Sequence, residues 1–102
     1  MAYLVRIMPR PERDLESIFN YIQAESSPAA FTWFNGLAQA IQSLSTLPLR
    51  NPLTHENPPL RQLLHGGKPH VYRVIYSVDR KQKQVDVLHI RHHSRSAFQP
   101  PL

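Results

Sequence analysis

Arginine and histidine crowd together between Val71 and Arg95, in the stretch VYRVIYSVDRKQKQVDVLHIRHHSR. Those two residue types do complementary work on phosphate. A guanidinium holds a phosphate bidentately and stabilises charge that grows on it in a transition state. An imidazole with an ordinary pKa of about 6.5 gives or takes a proton at neutral pH. RNA brings its own nucleophile, the 2′-hydroxyl beside each phosphate, so its cleavage asks only for a base, an acid and cations. Arg73, His89, Arg91, His93 and Arg95 are of the types to supply them. The plainer alternatives are a solvated basic surface and a surface that binds an acidic protein.

Other chemistries are poorly supplied. The chain has no cysteine, which excludes a disulfide scaffold, a thiolate nucleophile and a thiolate metal site, and fits a reducing compartment. His89, His92 and His93 invite a metal, but strand alternation turns His92 away from the other two. The Cα atoms of His89 and His93 would stand about 13 Å apart, with Arg91 between them to repel a cation. No metal and no cofactor is therefore expected. There is no Gly-x-Ser-x-Gly elbow, and the three glycines make no phosphate loop; Gly66-Gly67 reads as a turn.

The elements that must position these residues follow from periodicity. Tyr3 to Met8 is β-prone and stops at Pro9 and Pro11. Pro11, Glu12 and Asp14 suit a first helical turn, and Leu15, Ile18, Phe19 and Ile22 make one buried stripe ending near Glu25. Ser26-Ser27-Pro28 starts a second helix, with Phe31, Phe34, Leu37, Ala38, Ile41 and Leu44 as its stripe to about Ser45. Gly36 inside that helix costs about 1 kcal/mol relative to alanine and predicts a close approach by another element. Leu47 to Pro59 holds four prolines and reads as a surface loop. Leu60–His65, His70–Asp79 and Gln84–His92 are strands, with Arg80–Lys83 as a polar turn and Ser96–Leu102 as an irregular tail.

The fold class is α+β in the order β-α-α-β-β-β, one domain over residues 1–102. A helical hairpin packs on one face of a roughly four-stranded, mainly antiparallel sheet. The other face is left open. Alternation places Val74 and Tyr76 with Leu88 and Ile90 on the core side, and Arg73, His89, Arg91 and His93 on the open side with Val85 and Val87.

Charge follows the same division. Residues 1–59 hold four Lys/Arg against five Asp/Glu, and residues 60–102 hold eight against two, with five of the six histidines. That asymmetry points the second half towards an anionic partner. No apolar run approaches the roughly 20 residues of a membrane span. The MAYLVRIMPR start is too short and too charged for a secretory signal, so a cytoplasmic protein is expected.

The order of Arg-Pro-Glu-Arg-Asp-Leu-Glu-Ser-Ile-Phe-Asn-Tyr-Ile (10–22), Ser-Pro-Ala-Ala (27–30), Leu-Arg-Gln-Leu (60–63), Tyr-Arg-Val-Ile-Tyr (72–76) and Val-Leu-His-Ile-Arg-His-His-Ser-Arg (87–95) resembles the RelE/ParE toxin superfamily over nearly the whole chain. The resemblance implies the toxin of a type II toxin–antitoxin, or plasmid stabilisation, module. Its implied partners are a cognate antitoxin, with operator DNA reached only through that antitoxin, and a target that is DNA gyrase or the ribosome with its mRNA. RelE-like members cut mRNA and ParE-like members poison gyrase. The resemblance to a metal-independent ribonuclease makes Arg73, Arg91, His92, His93 and Arg95 its catalytic candidates. It makes Arg61, His65, Lys68, Arg73, His89, Arg91 and Arg95 the residues that contact nucleic acid or target. The lysine pair and the C-terminal tyrosine of RelE-like nucleases are unmatched here, and the helical half and the ending stand nearer the ParE branch, which implies growth arrest through gyrase. An inactive relative serving as an interaction module is the third possibility.

Overall fold

A computed structural model describes residues 2–54, 60–67 and 71–92. The far end of the proline-rich loop, His70 at the expected start of a strand, and the expected tail lie outside those residues. The elements are β1 (Leu4–Ile7), α1 (Pro9–Tyr21), α2 (Pro28–Gln42), a 3-10 turn at Ser43–Ser45, β2 (Arg61–His65), β3 (Tyr72–Asp79) and β4 (Gln84–His92). The sheet runs β1-β4-β3-β2, with β1 parallel to β4 and the other pairs antiparallel.

Each helix boundary has a local cause. Pro9 opens α1 where its missing N–H is no loss, two residues ahead of the Pro11 expected from the sequence. The helix closes at Tyr21 rather than near Glu25, because Gln23 takes a left-handed φ of 58°. The Gln23 N–H then donates to the Asn20 carbonyl and the Ala24 N–H to the Phe19 carbonyl, and Ala24 tucks in, 2% exposed. Ser27 caps α2 by accepting from the Ala30 N–H at 3.3 Å, a contact worth about 1 kcal/mol. The two helices meet edge-to-face at Phe19 and Phe34, centroids 5.1 Å apart. Phe31, expected in the buried stripe, stands 47% exposed, and Trp33 packs against the core instead.

The core sits between the helices and one face of the sheet. Ile18, Leu37, Ile41 and Leu44 bury against Val74, Tyr76, Val85, Val87 and Ile90. This corrects the strict alternation expected of β4. Ile75 pairs with His89 but Tyr76 pairs with Val87, so Leu88 is an extra residue in β4. The bulge shifts the phase by one. Val85 and Val87 before it and Ile90 after it all face the helices, while Leu88 joins Leu60 and Ile75 in a small cluster outside the main core.

The outer face is therefore not bare. Ile75 is fully buried at its centre. At its rims Leu4 and Leu64 are exposed, and Arg6 holds Asp86 with Nε at 2.9 Å and Nη2 at 3.2 Å.

Gly36 earns its place in α2. A Cβ there would come within 3.1 Å of the His65 imidazole, so the close approach expected from the sequence is that of the helix to the sheet. The start of the proline loop is pinned to the sheet. The Tyr76 hydroxyl donates to the Pro48 carbonyl at 2.6 Å and accepts from Asn51 Nδ2 at 3.1 Å. Among the described residues no helix is long and apolar enough to cross a membrane.

Candidate functional site

β3 and β4 set the candidate side chains by register. Arg73 lies directly across from Arg91, and Ile75 across from His89. Because the bulge lies before His89, Arg73, His89 and Arg91 share the outer face, as the sequence predicts. On the neighbouring strand Gln62 pairs with Ile75, and its Oε1 accepts from Arg73 Nε at 2.9 Å. Two guanidiniums facing each other across one rung repel unless an anion or a carbonyl group sits between them. Such a pair is a ready fork for a phosphate or a carboxylate.

His89 is a poor proton donor in this setting. It is 9% exposed, and its pKa lies below the usual imidazole value. Burial is the main cause, followed by the charges of Arg10 and Arg91, with Asp14 opposing them. The ring is neutral at physiological pH and lies beneath the surface that the arginines border.

The other candidates go elsewhere. His65 sits across from Tyr72 on the helix side. Its ring lies 5.1 Å from that of Trp33, and its Nε2 is 3.3 Å from the Trp33 carbonyl. His92 faces the same way, edge-on to Tyr72 at 5.1 Å, and Tyr72 in turn meets Trp33 at 5.5 Å. These histidines form a chain of rings between α2 and the end of β4. Arg61 donates through Nη1 to the Asn51 carbonyl at 2.6 Å and helps to hold the loop. Lys68, His93 and Arg95 lie outside the described residues. Among those described, no three His, Asp or Glu side chains could share a metal ion.

Arg10 escaped the sequence reading. β1 pairs with Gln84–Val87, so among the described residues the rest of β4 has no strand on that edge, and α1 lies against it. Arg10, Asp14, Ser17 and Tyr21 recur at i, i+4, i+7 and i+11, one helical stripe, and border a cavity of about 700 Å³ with Arg91 and His92. The signal was present as a polar stripe beside the apolar one. A polar helix stripe reads as a solvated face until the strand beside it is placed.

The comparisons with known proteins agree with this architecture. The family model described as the ParE toxin of the type II toxin–antitoxin system parDE matches residues 5–97. Among solved structures, the toxin–antitoxin complex RelBE2 of Mycobacterium tuberculosis is 25% identical, covering 91% of this chain and 100% of that one at a TM-score of 0.63. The chromosomal ParDE system of P. aeruginosa matches at 15% identity and a TM-score of 0.71, covering 89% of this chain and 96% of that one. A free mutant form of the E. coli toxin RelE matches at 18% identity and 0.65, covering 94% and 88%. No curated protein matches significantly.

Proposed function

Because the chain belongs to the ParE toxin family of type II toxin–antitoxin systems, we propose that it arrests growth by inhibiting DNA gyrase and is held in check by a cognate protein antitoxin. The observation that carries this reading is the division of cations and imidazoles across the sheet. Phosphodiester cleavage needs a proton donor and acceptor within hydrogen-bond reach of the phosphate that the cations hold. Among the described residues, Arg73 and Arg91 share the outer face, His92 meets Tyr72 edge-to-face on the other, and His89, though on the arginine face, is buried with its pKa lowered. A contact toxin has no need of that proton transfer. It uses the arginine pair as a docking fork for an acidic or phosphate-bearing part of its target.

The antitoxin partnership is supported by the family and by the RelBE2 and ParDE likenesses. Any operator binding would belong to the antitoxin.

The test is direct. The purified full chain is added to a gyrase supercoiling reaction and, separately, to translating ribosomes with a defined message. Loss of supercoiling with an intact message supports the reading. Message cut during translation with supercoiling untouched overturns it in favour of a RelE-like ribonuclease. Expression without the antitoxin that leaves growth unchanged overturns it in favour of an inactive interaction module.

A further inference from the structure

The cavity between α1 and the end of β4 is built mostly from residues that the gyrase reading does not use, with Arg91 common to both. Arg10 comes from the first turn of α1 and Arg91 from the last rungs of β4. Both line the cavity, and both charges reach His89, so the two guanidiniums converge on one region. Ile18 and Ile90 give the cavity an apolar floor, and the Tyr21 and Tyr72 rings stand beside it. Tyr21 is 79% exposed, an aromatic ring held in water at the rim. Ser17 lines it with a hydroxyl and Asp14 with a carboxylate.

Asp14 decides what fits. Two arginines alone would take any anion. A carboxylate beside them repels a ligand whose polar groups there are all anionic, as in a run of glutamates. It suits a ligand that presents an anionic group at one end and neutral hydroxyl donors next to it. A nucleotide has that layout: a phosphate of charge about −1.5 to −2 at neutral pH, a ribose whose hydroxyls donate to a carboxylate, and a planar base that stacks on an aromatic ring. At about 700 Å³ the cavity falls within the range of roughly 300–1,000 Å³ that holds small ligands.

We infer that this cavity binds a nucleoside 5′-monophosphate unit, with the phosphate on Arg10 and Arg91, the ribose hydroxyls on Asp14 and the base against Tyr21. The unit comes either free or as the end of an RNA strand. The site shares Arg91 with the docking fork of the gyrase reading, whereas Arg10, Asp14 and Tyr21 belong to it alone, so variants at Arg10 and Asp14 test it separately from that reading.

Calorimetric titration of the purified full chain tests it. The probes are adenosine 5′-monophosphate, its 2′-deoxy form, adenosine, inorganic phosphate, a 5′-phosphorylated tetraribonucleotide and a triglutamate peptide. The monophosphate is expected to bind at least about tenfold tighter than adenosine or phosphate alone, a difference of about 1.4 kcal/mol. Arg10→Ala should weaken it by about tenfold or more, as loss of a charge-assisted fork does. Arg10→Lys should recover part of that affinity. Asp14→Asn should erase the preference for the ribose form over the deoxy form. Arg10 and Asp14 lie outside the apolar core, so an unchanged melting temperature verifies that these variants are folded. Tighter Arg10-dependent binding of the tetranucleotide than of the monophosphate assigns the site to a strand end; equal binding assigns it to the free nucleotide. No binding of the monophosphate, binding that ignores Arg10→Ala, or tighter binding of the glutamate peptide overturns the inference.

Discussion

The face of the sheet beneath the helices and the face turned away from them are built from the same strands but do different work. Beneath the helices, Val74, Tyr76, Val85, Val87 and Ile90 meet Ile18, Leu37 and Ile41 in one continuous core, and two histidines serve as ring contacts within its border. On the far side a small cluster of Leu60, Ile75 and Leu88 is flanked by Arg73, Arg91 and the Arg6–Asp86 pair. One residue causes much of this contrast. The Leu88 bulge lets β4 keep valine inward before it and isoleucine inward after it, while His89 and Arg91 turn outward. Residues adjacent in sequence can thus belong to separate functions.

The sharpest way to test the contrast is to remove equal amounts of side chain from each face. Ile41→Ala empties a site that is 1% exposed and should cost about 2–5 kcal/mol in chemical denaturation. Leu88→Ala, at a partly buried position of the smaller cluster, should cost about 1 kcal/mol. Equal losses would mean that the outer cluster is a second core and the two faces are not different in kind.

Tyr76→Phe comes next. It deletes a hydroxyl that satisfies the Pro48 carbonyl and Asn51, and burial has already pushed that phenol's pKa above its usual value. The loss should be about 1–3 kcal/mol, the cost of stranding buried polar partners. Hydrogen exchange should quicken in the loop from Leu47, because the helix side loses its tie to that loop.

A smaller effect separates the buried imidazole from those in edge-on or tilted ring contact. His89 resists protonation when folded, so the unfolded chain binds the extra proton once pH falls below about 6.5. Its contribution is fully present above that pH and is lost as pH drops towards the lowered folded value. Melting temperatures measured across this window should fall less steeply for His89→Gln than for the natural chain. An unchanged slope would place the sensitivity elsewhere.

Much of this was legible in the sequence. The element order, the Ser27 cap, the hairpin turn and the meaning of Gly36 follow from periodicity and local stereochemistry, which act over a few residues. The bulge was not legible, because an extra residue leaves an apolar run apolar: Val85, Val87, Leu88 and Ile90 read equally well in either phase. That one step moved Leu88 out of the core and closed the centre of a face that alternation left open. The roles of His65 and Arg61 were hidden for a different reason. A histidine against tryptophan and an arginine on a loop carbonyl depend on contacts 32 and 10 residues away, and residue type alone does not tell a structural cation from a docking one.

The central claim is that the outer arginine pair docks a target without proton chemistry. Gyrase supercoiling measured with the natural chain, the Arg73→Ala/Arg91→Ala double variant and His92→Gln tests it most directly. The account predicts that the double variant keeps its fold, changing stability by no more than about 1 kcal/mol, and loses inhibition, while folded His92→Gln inhibits like the natural chain. Full inhibition by the double variant, or its loss in folded His92→Gln alone, would contradict it.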